Sequence, residues 1–227
     1  MRAPTARLAN VVRWVAAIGA FTSGCAMMQV PAPLQAVAPV EVDGARESGV
    51  VGPFTYELAR DGKFFRDRTD LREAWDFGVT FEGRALGSGT CRHGLHWPGQ
   101  AVGDPPERSR DLGRSVECTQ SSNTTTAPIA LSLRPGGPGE ELVGWVRRGA
   151  DRIAVRASHE MEGGLFLTGR RMGFVLERGG VPWAAIQTVN DRRAWIPPLE
   201  PDTQDLLGLV IVALATIQPF TEEILTP

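Results

Sequence analysis

From Phe54 onward, apolar and polar residues alternate over short stretches separated by Gly, Pro, Asp and Asn. Phe54–Leu58 and Val79–Glu82 alternate with a period of two, which predicts half-buried strands. Between them, Thr69–Trp75 (TDLREAW) predicts one or two helical turns with Leu71, Ala74 and Trp75 on one side. Residues 98–114 are polar and turn-rich and predict a long surface loop. A strand is expected at Ser115–Gln120, then a polar break at 121–126. In the second half, Ile129–Leu133 and Leu142–Val146 flank Pro135-Gly136-Gly137-Pro138-Gly139, a hairpin signal with a Gly-rich loop. Ile153–Ala157, Leu165–Thr168, Gly173–Glu177, Trp183–Val189 and Ala194–Ile196 continue a meander of short strands.

The pattern then changes. Pro201-Asp202-Thr203-Gln204-Asp205 has the acidic start of a helix, Leu206–Ala215 contains no polar residue, and Pro219 ends the run. Val and Ile at its centre leave a buried strand as the competing assignment; length and the acidic start favour helix. The run would extend only about 15 Å as a helix, half a bilayer core, and a helix apolar all round must be enclosed by protein. The expected fold class is therefore mainly β: an antiparallel barrel or a sandwich with one buried hydrophobic C-terminal helix.

The meander ending in Trp195-Ile196-Pro197 and the apolar helix after it resembles, over roughly residues 165–220, the tubby-like barrels, including the phospholipid scramblase and LURP-one relatives. That resemblance implies a closed sheet wrapped around a hydrophobic C-terminal helix. Some tubby-like members bind phosphoinositides through basic residues. That activity is not carried over, because the mature chain is acidic and Lys63 is its single Lys.

The N-terminus reads as an address. Arg2 and Arg7 precede a short apolar stretch, Val11–Phe21, interrupted by Arg13, and then Thr22-Ser23-Gly24-Cys25. The segment resembles a bacterial lipoprotein signal, whose lipobox ends in a small residue and a Cys that becomes acylated. Ser23-Gly24-Cys25 match, whereas Thr22 stands where Leu is preferred. The resemblance implies lipidation of Cys25. Ala26 after the Cys implies the outer membrane, facing the periplasm. Residues 1–24 are thus expected to be a signal peptide, 25–50 a Pro/Ala-rich tether and 51–227 a single β-rich globular domain. Losing Arg2, Arg7 and Arg13 with no acid makes the remainder three charges more negative than the whole chain's −2.

Composition narrows the chemistry. Hydrophobic residues make up 42% of the chain, ample for a core, and 26 Gly with 17 Pro indicate turns rather than a helical bundle. A net charge of −2 offers no footprint for nucleic acid. In an oxidising compartment Cys91 and Cys118, placed on neighbouring strands, are first read as a disulfide closing 92–117. The alternatives are a zinc site of Cys91, His93, His96 and Cys118, and a Cys91 nucleophile with His93 or His96 as base. His159-Glu160 begins like a zincin helix, but Gly163 stands where the second His is needed. No complete catalytic motif occurs, and no cofactor is expected. The expectation is a lipid-anchored extracytoplasmic binding or structural module in the cell envelope, joined to the membrane through its lipid. Envelope lipid handling and a hydrolase using His159 with carboxylates are the alternatives. The ligand and any protein or lipid partner are not legible.

Overall fold

A computed structural model describes residues 27–44, 47–61, 72–96, 113–135, 142–160 and 171–217. Twelve strands follow in order: β1 (Val40–Gly44), β2 (Ser48–Val51), β3 (Phe54–Asp61), β4 (Arg72–Phe81), β5 (Arg84–His96), β6 (Gly113–Ser122), β7 (Ile129–Pro135), β8 (Leu142–Arg148), β9 (Asp151–Ser158), β10 (Gly173–Arg178), β11 (Val181–Gln187) and β12 (Arg193–Trp195). Among the described residues one α-helix, α1 (Gln204–Thr216), follows β12. Each strand runs antiparallel to the next, and β1 closes the ring against β12 with Val40 opposite Ala194. The sheet is a closed barrel, which decides between the two architectures expected from the sequence. Closure also leaves no sheet edge to protect.

Alternation dictates what fills the barrel. Phe54, Tyr56 and Leu58 of β3, Trp75, Phe77 and Val79 of β4, and Ile129, Leu131 and Leu133 of β7 all point inward and are buried. Their neighbours Thr55, Glu57 and Asp76 are exposed. A bulge sets Val79 opposite Gly87 and Thr80 opposite Ala85. It turns the extra residue, Leu86, into the core and shifts the inward parity of β5 so that Cys91 also faces in. Charged outward residues with an apolar, filled interior are the inverse of a membrane-spanning barrel.

α1 occupies the bore. Every residue from Asp205 to Thr216 is buried, so its apolar surface is covered on all sides, as the run of Leu, Val and Ile requires. At Gly208 an added Cβ would sit 2.7 Å from the Phe54 ring. Glycine here lets the helix approach β3. The barrel end beside the start of α1 is made of tight connections. Two of them, Glu82-Gly83 and Gly179-Gly180, have both central residues at positive φ, the hairpin geometry that suits twisted strands and favours Gly.

Two expectations are corrected. Residues 72–75 are not helical: Arg72–Trp75 begin β4, paired with β5 from Gly94 to Cys91, and pairing overrides the helix-forming Leu-Arg-Glu-Ala sequence. Nor do the described residues of the expected tether, 27–44 and 47–50, hang loose. Met28 and Leu34 are buried in a second apolar cluster with Met172, Val175, Ala185, Val189 and Trp195, on the outside of β10–β12. The Pro residues that suggested a linker instead shape a 3-10 turn at Ala32–Leu34, and Val40–Gly44 and Ser48–Val51 are barrel strands. This strap explains why Gly173–Leu176 and Ala184–Gln187 are buried on successive residues rather than alternately. Gln187 fastens it. Its Oε1 accepts from Met28 N at 2.8 Å, and its Nε2 donates to the carbonyls of Val189 and Asp191. The strand expected at Leu165–Thr168 lies outside the described residues, as does the expected loop up to residue 112; Gly113 and Arg114 already belong to β6.

Gln120 breaks the interior pattern. It is 1% exposed, faces inward from β6, and neither its amide nitrogen nor its amide oxygen has a hydrogen-bond partner among the described residues. Gln120→Met keeps the volume and removes the stranded amide, and is expected to raise the unfolding free energy by about 1–3 kcal/mol. Urea unfolding checks this; a loss of stability would show that the amide is satisfied.

Candidate functional site

With the bore filled, the concave surface of the barrel lies outside, across β3–β6. There an open groove of about 850 Å³ is lined by outward side chains in two cross-strand rows. Register aligns Glu57, Gly78, Ser88 and Ser121 in one row, and Ala59, Asp76, Thr90 and Thr119 in the other. Short residues make the depression. A Cβ at Gly78 would meet nothing within 4 Å, so open space is left between Glu57 and Ser88. Thr90 Oγ1 donates to Asp76 Oδ1 at 2.5 Å, and the Ser88 and Ser121 hydroxyls lie 3.5 Å apart. Glu47 and Ser48 add a further carboxylate and hydroxyl, and among the described residues no Arg, Lys or His lines the groove. Its chemistry is therefore hydrogen bonding under negative potential.

A second polar constellation closes the bore at the start of α1. Asp205, 1% exposed, accepts hydrogen bonds from Ser122 Oγ, from Thr124 Oγ1 at 2.6 Å and from Leu206 N at 2.8 Å, and pairs with Arg148 Nη1 at 3.1 Å. Burial pushes its carboxyl up. The Ser122, Thr124 and Leu206 donors and the Arg148 charge outweigh that and hold it below the ordinary 3.8. Arg148 Nη2 also donates to the Asp202 carbonyl at 2.9 Å. At the opposite end, Arg60 and Arg192 donate to the carbonyls of Thr216 and Ala215, and Trp75 Nε1 donates to Thr216 Oγ1 at 3.0 Å. Anion at the helix N-terminus and cations at its C-terminus complement the helix dipole and satisfy polar groups at the ends of the helix. These contacts hold α1 in place, and the donors are engaged with the helix.

The residues singled out in the sequence do not converge. Cys91 and Cys118 stand directly opposite on β5 and β6, with sulfurs at a bonding distance of 2.00 Å, and both are buried in the interior. A bonded sulfur ligates no zinc, and neither thiol is left as a nucleophile. The side chains of His93 and His96 lie outside the described residues, as does Cys25. His159 is half-buried at the end of β9 and is not among the groove residues. Among the described residues, no group of three or more His, Cys, Asp or Glu is placed to hold a metal.

Sequence reasoning missed both constellations. Asp205 was legible as a helix start. The signal of its burial is that it abuts ten apolar residues of a helix that has to be enclosed, which forces its first turn inside as well. Ser122 and Thr124 read as a polar break, and nothing near Arg148, Arg60 or Arg192 in the sequence distinguishes them from other surface Arg. The groove rows are visible only once register aligns four strands.

Asp205→Ala leaves Arg148, whose side chain is 14% exposed, without its carboxylate and is expected to cost about 3–5 kcal/mol in urea unfolding. A lowered folded-state pKa gives stability that is complete above the ordinary carboxylate value and is lost as pH falls through the folded value. Stability is therefore expected to drop below about pH 4, less steeply in Asp205→Asn, as followed by acid titration of the unfolding midpoint. Unfolded, unreduced protein is expected to show no thiol at Cys91 or Cys118. Reduction should cost about 3.5 kcal/mol for a sequence separation of 27. Two titrating thiols would contradict the bond. Compared with protein-family models, curated proteins and solved structures, the chain matches none.

Proposed function

We propose that this chain is a lipid-anchored extracytoplasmic binding or structural module, acylated at Cys25 and held at the outer membrane of a cell envelope. The observation that carries the reading is the filled bore. α1 takes up the space in which a barrel of this kind would otherwise hold a ligand, and both its ends are locked by wall side chains. Contact with a partner then falls to the outer surface, where the β3–β6 groove presents carboxylates and hydroxyls. Such a lining suits a ligand rich in hydroxyl or amino groups. The disulfide supports an oxidising compartment. A barrel closed around a C-terminal helix also supports kinship with the tubby-like proteins, a likeness of architecture that carries no activity with it.

The reading in which the interior carries an acyl chain loses its space to α1. A fluorescent fatty acid is accordingly expected to remain unbound by delipidated protein, and saturable binding would favour lipid handling instead. Expression in a Gram-negative cell, followed by intact mass analysis, is expected to show a mature N-terminus at Cys25 carrying acyl mass. Cys25→Ser is expected to move the protein from the membrane to the soluble fraction. An uncleaved, unmodified N-terminus in the cytosol would overturn the proposal.

A further inference from the structure

The strap sets how close, and in what attitude, an anchored barrel would sit. Met28 is fixed to the barrel wall: its backbone N–H donates to Gln187 Oε1, its side chain is 1% exposed, and the next residue's N–H donates to the Glu160 carbonyl at 2.9 Å. Only Ala26 and Met27 separate it from Cys25, three peptide steps with a reach of at most about 11 Å. A free tether over residues 25–50 would have allowed about 80 Å when extended. From Met28 the strap runs down the outside of β10–β12 to Val40. Buried Leu34 points to the barrel, while Gln29, Ala32, Pro33, Gln35, Ala36 and Ala38 are exposed. In a chain that is 22% charged, residues 26–40 contain no Asp, Glu, Lys or Arg. Val181 of β11, the strand that the strap crosses, is 57% exposed.

We infer that the flank covered by this uncharged strap is the face laid against the lipid surface. The barrel then lies on its side, with the strap between β10–β12 and the membrane and the β3–β6 groove turned away from it. The inference rests on the acylation of Cys25 proposed above. A short leash brings the flank to the headgroups. A strap without carboxylates along residues 26–40, bordered by Glu160 and Asp191, lets this flank of an acidic protein approach anionic lipid with less repulsion than the groove face with Glu47, Glu57 and Asp76. In a closed sheet of twelve strands, β5 and β6 stand across from β11. At a strand spacing of about 4.8 Å and a tilt of about 40°, the two flanks are about 24 Å apart.

The experiment uses the acylated mature chain in vesicles of phosphatidylethanolamine and phosphatidylglycerol that contain an acceptor-labelled lipid. A donor dye is attached at Gln35→Cys on the strap or at Thr119→Cys on β6, both exposed positions, with Cys91 and Cys118 held in their disulfide. Energy transfer from position 35 is expected to exceed that from position 119 several-fold. Ala32→Asp with Ala36→Asp is expected to lower transfer from position 35 while the circular dichroism spectrum and the acyl mass stay unchanged. Equal transfer from both positions, with the acyl mass present, overturns this inference and leaves the anchor standing. Absence of acyl mass on Cys25 overturns the anchor, and the inference with it.

Discussion

A helix without a polar face cannot rest on a surface; it has to be surrounded, and the rest of this molecule follows from that requirement. Leu206–Ala215 expose apolar side chains in every direction around the helix axis, so covering one flank with a sheet would leave the other in water. Closing the sheet into a ring of twelve strands removes the problem, and the same inward residues that shield α1 are shielded by it. Enclosure then creates a second demand, because the ends of a helix carry amide and carbonyl groups that remain unpaired within it. Ser122, Thr124 and Arg148 answer at one end through Asp205, and Arg60, Trp75 and Arg192 answer at the other. The polar residues inside the barrel sit mostly where the helix stops.

The outer surface divides into two unlike flanks. Over β10–β12 a strap of Met, Val, Leu, Pro and Ala adds another layer, and the strands beneath it are buried on both faces. Over β3–β6 the outward residues that line the groove are mostly short and polar, and among the described residues the depression they form is acidic. The strap over one flank has no charge to present, and the groove on the other has carboxylates and hydroxyls. In the proposed arrangement the first faces lipid and the second is left to whatever the protein meets.

Legibility in the sequence tracked how local the cause was. Ile129–Leu133, Leu142–Val146, Ile153–Ala157 and Gly173–Glu177 carry their strand signal in their own alternation or in flanking turns, and β7 to β10 stand where that signal lies. The C-terminal helix was readable because ten apolar residues follow an acidic start. Thr69–Trp75 misled because its helical spacing is real, yet the pairing of β4 along the length of β5 outweighs it. β1 and β2 went unrecognised beside Pro31, Pro33 and Pro39, since each is short and gains its hydrogen bonds from strands elsewhere in the chain. The groove and the Asp205 clamp were illegible for the same reason: their members are brought together by register across strands, and the spacing of Ser122, Arg148 and Asp205 in sequence carries no trace of it.

By itself the amino-acid order determined that strands would dominate, that the last apolar run would be a helix too short to span a bilayer, and that this helix would need enclosure. Those properties depend on period, length and side-chain polarity, which a chain carries wherever it is folded. Tertiary structure alone decided that the sheet would close into a barrel rather than split into two layers. It likewise decided that residues 27–44 would pack and pair instead of dangling, and that one acid and several Arg would seal the bore. Those outcomes depend on which distant segments come into register, and a hydrogen bond between strands is specified by both partners and by neither one alone.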